Sequence, residues 1–184
     1  SGRDQILPFT ENFTAGGADT LRGFEDNTVG PRGVQRISSQ IGTTPFGTPI
    51  FGGPDTDQVG VSPRSLGGNA MAIGGLELIV PTPFIETEFD SSVRTSVFID
   101  VGNVWDTEFN YDEYKDLEFI GRTGEGQPSA LSDYSDWSQF RSSAGISVQW
   151  ISPMGPLVFS FSKEISTRDG DNPKFFTFNI GSTF

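Results

Sequence analysis

The sequence predicts an all-β protein, an antiparallel transmembrane β-barrel segment, and three observations predict it. Five runs of about 8 to 12 residues alternate polar and apolar side chains, the length that tilted strands need to cross a bilayer. Between them, long polar connections rich in Gly, Pro, Asp and Asn take turns with short ones. In three of the five runs one face carries charged or amide side chains while the other carries Val, Ile, Leu or Trp, an apolar outside around a polar inside.

Composition narrows the function classes. Only 34% of the 184 residues are hydrophobic, with 23 Gly, 12 Pro and 17 Phe, which disfavours an ordinary soluble core. A formal charge of −12, from 24 acidic and 12 scattered basic side chains, argues against nucleic acid, whose phosphates need a basic patch. There is no Cys and no His, so disulfide scaffolds, thiolate metal sites and His-based triads are excluded. No apolar run approaches the ~18 residues of a membrane helix, and the residues after Ser1 do not read as a signal peptide; the chain reads as mature or internal sequence.

Residues 1 to 68 are expected to form one very long loop. Pro31, Pro45, Pro49, Pro54 and Pro63 oppose a long helix or a central strand, and more than sixty residues without an element point to a functional loop. Within it, Gly16-Gly17-Ala18-Asp19-Thr20-Leu21-Arg22-Gly23-Phe24 sets one Arg between flexible glycines and beside one large aromatic. A guanidinium so placed can be aimed at a buried carboxylate while Phe24 anchors the tip. A surface turn with a solvated Arg is the plainer alternative for this motif taken alone.

The first strand is expected over Asn69 to Val80, with Glu77 facing a polar interior and Ala70, Ala72, Gly74, Leu76, Leu78 and Val80 on the other face. Pro81-Thr82-Pro83 stops it. Val93 to Asn103 follows, with Val93, Thr95, Val97, Ile99 and Val101 outward and Arg94, Ser96, Phe98, Asp100 and Gly102 inward. Residues 105 to 140 return to acidic, Tyr-rich loop character. Arg141 to Ile151 places Arg141, Ser143, Gly145, Ser147 and Gln149 inward, opposite Ser142, Ala144, Ile146, Val148 and Trp150.

After the tight turn Ser152-Pro153-Met154-Gly155-Pro156, Leu157, Phe159 and Phe161 alternate with Val158, Ser160 and Ser162. Asp169-Gly170-Asp171-Asn172 reads as a hairpin turn, having too few ligands at loop spacing for a calcium loop. The last strand carries Phe176, Phe178, Ile180, Ser182 and Phe184 on one face, interleaved with Thr177, Asn179, Gly181 and Thr183. A soluble β-sandwich also alternates, but five strands cannot cover the charged face it would leave open. By analogy with outer-membrane barrels, residues 1 to 68, 104 to 140 and 164 to 174 are extracellular and 81 to 92 and 152 to 156 periplasmic.

These residues in this order resemble the barrel domain of the BamA family, the central subunit of the outer-membrane β-barrel assembly machine. The resemblance runs through Leu7-Pro8-Phe9, Glu11-Asn12-Phe13, Ala15-Gly16-Gly17, Leu21-Arg22-Gly23-Phe24 and Asn27-Thr28-Val29-Gly30-Pro31. It continues through Gly67-Gly68-Asn69-Ala70-Met71-Ala72, Pro81-Thr82-Pro83-Phe84, Ser92-Val93-Arg94-Thr95-Ser96 and Val104-Trp105-Asp106-Thr107. Ser152-Pro153-Met154-Gly155-Pro156-Leu157-Val158-Phe159-Ser160 and Phe178-Asn179-Ile180-Gly181 complete it. Residues 34 to 66 match least.

The resemblance implies the last five strands (residues 69–184) and the long sixth extracellular loop (residues 1–68) of a sixteen-stranded barrel, without the periplasmic domains. It implies a bacterial outer-membrane location and a loop folded into the lumen, whose Arg22, Gly23 and Phe24 form a structural latch with Glu77 and Asp100. Its terminal strand, with Phe176, Phe178, Ile180, Gly181 and Phe184, would form a lateral gate; the plainer reading of those aromatics is lipid anchoring. Expected partners are nascent outer-membrane proteins, the lipid bilayer and, through the absent periplasmic domains, assembly-machine lipoproteins. No cofactor, metal or catalytic residue is expected; an acid/base pair of Glu77 and Asp100 lacks any accompanying substrate signature. A related protein-translocation subunit, a passive porin and a soluble β binding module are the alternatives.

Overall fold

The computed structural model describes residues 12–36, 40–51, 58–81, 92–119 and 128–180. Its frame is a five-stranded antiparallel sheet built from the five runs that alternate in sequence. The strands are β5 (Ala70–Val80), β6 (Val93–Trp105), β8 (Arg141–Ser152), β9 (Gly155–Ser166) and β10 (Phe176–Ile180), in the order β10-β9-β8-β6-β5. Within this sheet each strand pairs with the next of its own strands along the chain, so β10 and β5 are the edges.

Register follows the pleat. Glu77 lies opposite Phe98 and Gly75 opposite Asp100, while Asp100 faces Ser143 across the next pair and Ser147 faces both Ser96 and Ser160. One face of the sheet therefore carries Ser96, Phe98, Asp100, Arg141, Ser143, Ser147, Gln149, Ser160, Ser162 and Thr177, all buried. The other exposes Leu76, Leu78, Ile99, Ile146, Trp150, Phe161, Phe176, Phe178 and Ile180. A soluble sheet buries its apolar face; here the polar face is covered, the polarity of a barrel wall with lipid outside. No helix among the described residues is long and apolar enough to cross a membrane.

Two boundaries shift from the sequence expectation. β6 runs on to Trp105, because Val104 on the inward face and Trp105 still pair with Met71 and Ala70 of β5. β9 extends to Ser166, into the stretch expected as loop.

The larger correction concerns residues 1 to 68, which are not one loop without elements. Among the described residues of that stretch lie four strands: β1 (Arg32–Arg36), β2 (Gln40–Thr43), β3 (Pro49–Phe51) and β4 (Gln58–Ser65). β1 pairs antiparallel with β4, and β2 with β3. The prolines did not forbid this. Pro49 opens its strand, and Pro63 falls where the β1–β4 register shifts between Arg32 and Val34, the bulge position in which a missing N–H costs no ladder bond. Val59 and Val61, two apart and paired near Val34, were the legible sign. The connection 106–140 likewise holds β7 (Glu118–Phe119), which pairs parallel with β4, and two single turns of 3₁₀ helix.

Residues 12–30 have no regular ladder but are closely tied. Isolated bridges join Phe13 to Gly68, Ala15 to Val29, Gly17 to Leu21 and Phe24 to Pro173. Ala15, Leu21, Phe24 and Val29 pack with Val104 of β6, all with no exposed surface, as the hydrophobic core of the described residues. That core sits on the polar face of the sheet, at the end where β6 finishes.

Candidate functional site

The site is built where residues 21–24 meet the inward face of β5, β6, β8 and β9. A side chain at Gly23 is excluded twice over. Its φ of +92° lies in the left-handed region, and a Cβ there would stand 2.9 Å from Cβ of Ser143 and 3.5 Å from Cβ of Ser162. Small residues on β8 and β9 thus form the seat, and the absence of a side chain on the tip lets its backbone reach them. Ser143 Oγ donates to the carbonyl oxygen of Arg22, fixing the direction in which the tip enters.

From that seat Arg22 reaches across β6 to β5. Its Nε donates to Asp100 Oδ2 at 2.7 Å and its Nη2 to Asp100 Oδ1 at 2.9 Å, a bidentate pairing. Nη1 donates to Glu77 Oε2 at 3.1 Å, and the backbone N–H of Arg22 adds a longer bond to Asp100 Oδ2 at 3.3 Å. The second oxygen of Glu77 accepts from Ser96 Oγ. Side-chain exposure is 10% for Arg22, 6% for Asp100 and 22% for Glu77, so the pair with Asp100 is the drier one.

The guanidinium also lies over the ring of Phe98, with Cζ 3.4 Å from the centroid. Phe98 keeps that position because its cross-strand partner is Gly145, where any Cβ would fall 2.6 Å from the ring. Burial alone would make the Arg22 cation harder to keep, but the hydrogen bonds and charge of Asp100, followed by Glu77, outweigh it and hold the guanidinium above its usual value. The arrangement can position and hold. Among the described residues no group of three His, Cys, Asp or Glu side chains could take a metal.

The tip is gripped from a second side. Lys174 N–H donates to the Gly23 carbonyl and Glu25 N–H to the Asn172 carbonyl, both at 2.9 Å, around the Phe24–Pro173 bridge. Phe24 is fully buried.

The sequence-selected residues Arg22, Gly23, Phe24, Glu77 and Asp100 thus meet at one place. Phe176, Phe178 and Ile180 of β10 do not join them: all three are exposed on the outward face, with Phe178 beside Phe159 and Phe176 beside Phe161. Gly181 and Phe184 lie outside the described residues. Sequence reasoning gave no role to Phe98, Ser143, Gly145 or Ser162. Their inward parity was readable, and the Phe98–Gly145 pairing follows from register alone.

Comparison with known proteins agrees with this geometry. The model of the Omp85 superfamily domain matches residues 1–184. The chain is 31% identical over all its 184 residues to the outer membrane protein assembly factor BamA of Neisseria meningitidis serogroup B, spanning 20% of that protein. It also resembles the crystal structure of BamA from Haemophilus ducreyi lacking POTRA domains 1–3, with a TM-score of 0.69 and 37% identity. That match covers 97% of this chain and 28% of the other. The inside-out sheet, the seated Arg22 tip and a family match over the whole length lead to one conclusion: the chain belongs to the Omp85 superfamily, as a segment of an outer-membrane β-barrel.

Proposed function

We propose that this chain is the C-terminal part of the barrel of an outer-membrane β-barrel assembly insertase, contributing the long sixth extracellular loop and the last five of sixteen strands. The observation that carries the reading is Arg22 paired with Asp100 and Glu77 on the covered, polar face of a sheet whose other face is apolar. In this reading Arg22, Gly23, Phe24, Glu77 and Asp100 are a latch that holds the loop in the lumen. A buried, bidentate pair fixes conformation more surely than it adds net stability.

The terminal strand is the working part. Among the described residues β10, like β5, is an edge of the sheet, the position at which a barrel closes onto another strand. In the whole barrel its pairing with the first strand would act as a lateral gate, and the open edge would template the strand of a nascent outer-membrane protein. No cofactor and no covalent chemistry are needed. Lipoprotein partners would be bound through periplasmic domains lying elsewhere in the longer protein. A protein-translocation subunit of the same superfamily is the second reading, favoured by the family match over the whole chain, which the two share.

The test is complementation by the full-length protein carrying Arg22→Ala, with client barrels and the variant's own abundance read together. Removing one partner of a buried pair costs ~3–5 kcal/mol. Asp100→Asn and Glu77→Gln should therefore not add to it, because the interaction is already broken. Loss of client barrels at normal abundance supports the proposal. Unchanged clients, or additive and independent effects of the three substitutions, overturn the latch.

A further inference from the structure

The connection between β9 and β10 is held by a buried ion pair away from the Arg22 seat. Arg141, at the start of β8, donates from Nη2 to Asp171 Oδ1 at 3.0 Å and from Nε to both oxygens at 3.2 and 3.1 Å. The side chains are 1% and 2% exposed. Both ions are fully engaged. Arg141 Nη1 donates to Asn103 Oδ1 at 2.8 Å and to the Gln139 carbonyl at 2.7 Å, and Asp171 Oδ2 accepts the Arg168 N–H at 2.6 Å. A buried pair with its other hydrogen bonds satisfied serves to specify one arrangement of the chain.

What it specifies lies next in sequence. Asn172, Pro173 and Lys174 are the residues that grip Gly23, Phe24 and Glu25 from the second side, and β10 begins two residues after Lys174. Further along, Asn179 Nδ2 of β10 donates to Asp19 Oδ1 in the turn before the tip at 2.9 Å. The loop carrying Arg22 is therefore tied to the terminal strand at the strand's entry and again along its length.

We propose that Arg141 and Asp171 are positioning residues: by pinning the β9–β10 connection they couple the seat of the Arg22 tip to the terminal strand, so that tip and strand are held or released together. Arg22 alone would tie the loop to β5, β6 and β8, the nearest of which is two strands from β10. With the second grip, loosening β10 for strand exchange also loosens the tip. That consequence rests on the proposed gate at β10; the coupling itself does not.

Hydrogen exchange on the full-length protein in lipid tests it. The reporters are the amides of Gly17 and Arg22, bonded to Phe24 and Asp100, and those of Thr177 to Asn179 in β10. Asp171→Asn keeps the shape and removes the charge; exchange is expected to rise about tenfold or more at both reporters together, with the middle of β6 unchanged. Acceleration confined to residues 168–174, the outcome of a purely local packing role, overturns the proposal. Should Asp171→Asn not accumulate, Asn179→Ala cuts the exposed tie from the other end: faster exchange at Arg22 supports the coupling and an unchanged Arg22 amide overturns it. Coupled exchange in a protein inactive in client assembly would leave this inference standing and overturn the proposed function.

Discussion

Replacing Gly23 by alanine puts a number on the fit of the tip. At φ +92° an L-residue pays a backbone cost of about 1–2 kcal/mol. The new methyl carbon would also stand 2.9 Å from Cβ of Ser143, on a strand paired on both sides that cannot move away freely. Overpacking of this kind costs about 1–3 kcal/mol, so Gly23→Ala should lose about 2–5 kcal/mol in total. Gly47 supplies the internal control, since it has φ +80° and nothing within 4 Å of its would-be Cβ. Gly47→Ala should show the backbone cost of about 1–2 kcal/mol alone. The assay is urea unfolding of the full-length protein in lipid, comparing midpoints at constant slope. Ser143→Gly removes the obstructing carbon and also the hydroxyl that bonds Arg22. The double variant should therefore be less destabilised than the sum of the singles, by about 1–3 kcal/mol. Equal losses for Gly23→Ala and Gly47→Ala, or a strictly additive cycle with Ser143→Gly, would refute the close seating.

Two further outcomes check the environment assigned to the apolar face and to the connection before β8. Ile99, at the middle of β6 and 52% exposed on the apolar face, should tolerate Arg poorly: Ile99→Arg should cost about 2–4 kcal/mol in bilayers, and a change below ~0.5 kcal/mol would mean that this face does not meet lipid. In the connection outside the strands, burial raises the Tyr134 phenol above its usual value, with Arg32 and Arg141 pulling the other way. A raised folded value means that the unfolded chain releases the proton first. The stabilisation is thus complete below pH ~10 and is lost as pH rises towards the folded value. Tyr134→Phe should flatten that alkaline loss in the unfolding midpoint; identical curves for the two proteins would refute the burial.

Much of the site was legible because β-strands alternate strictly. Once Glu77 is assigned to the inside, parity alone sends Gly75 and Ile79 the same way, and parity in the next strand sends Phe98 and Asp100 to the same face. The match of the Arg22 motif to Glu77 and Asp100 came from the family resemblance; parity showed only that both carboxylates face inward and are available to it. What stayed hidden depended on pairings far apart in the chain. Arg141 and Asp171 are thirty residues apart, with β9 between them, and nothing local marks either as the partner of the other. The strands in residues 32–65 were missed for a different reason: the prolines were counted against the whole stretch, although Pro49 opens its strand and Pro63 sits at a bulge, where the missing N–H is unneeded.

By itself, the sequence determined the class of fold and the inward and outward faces, because side-chain parity and turn chemistry are local properties of the chain, and its family resemblance named the candidate members of the site. The tertiary structure decided what those members do to one another. It set the Arg22 guanidinium over Phe98, placed Ser143 where a side chain at Gly23 would stand, and brought the β9–β10 connection against the tip. Those outcomes turn on differences of a few tenths of an ångström in contacts between residues as far as about 150 positions apart, which register and packing fix only when the whole sheet has formed.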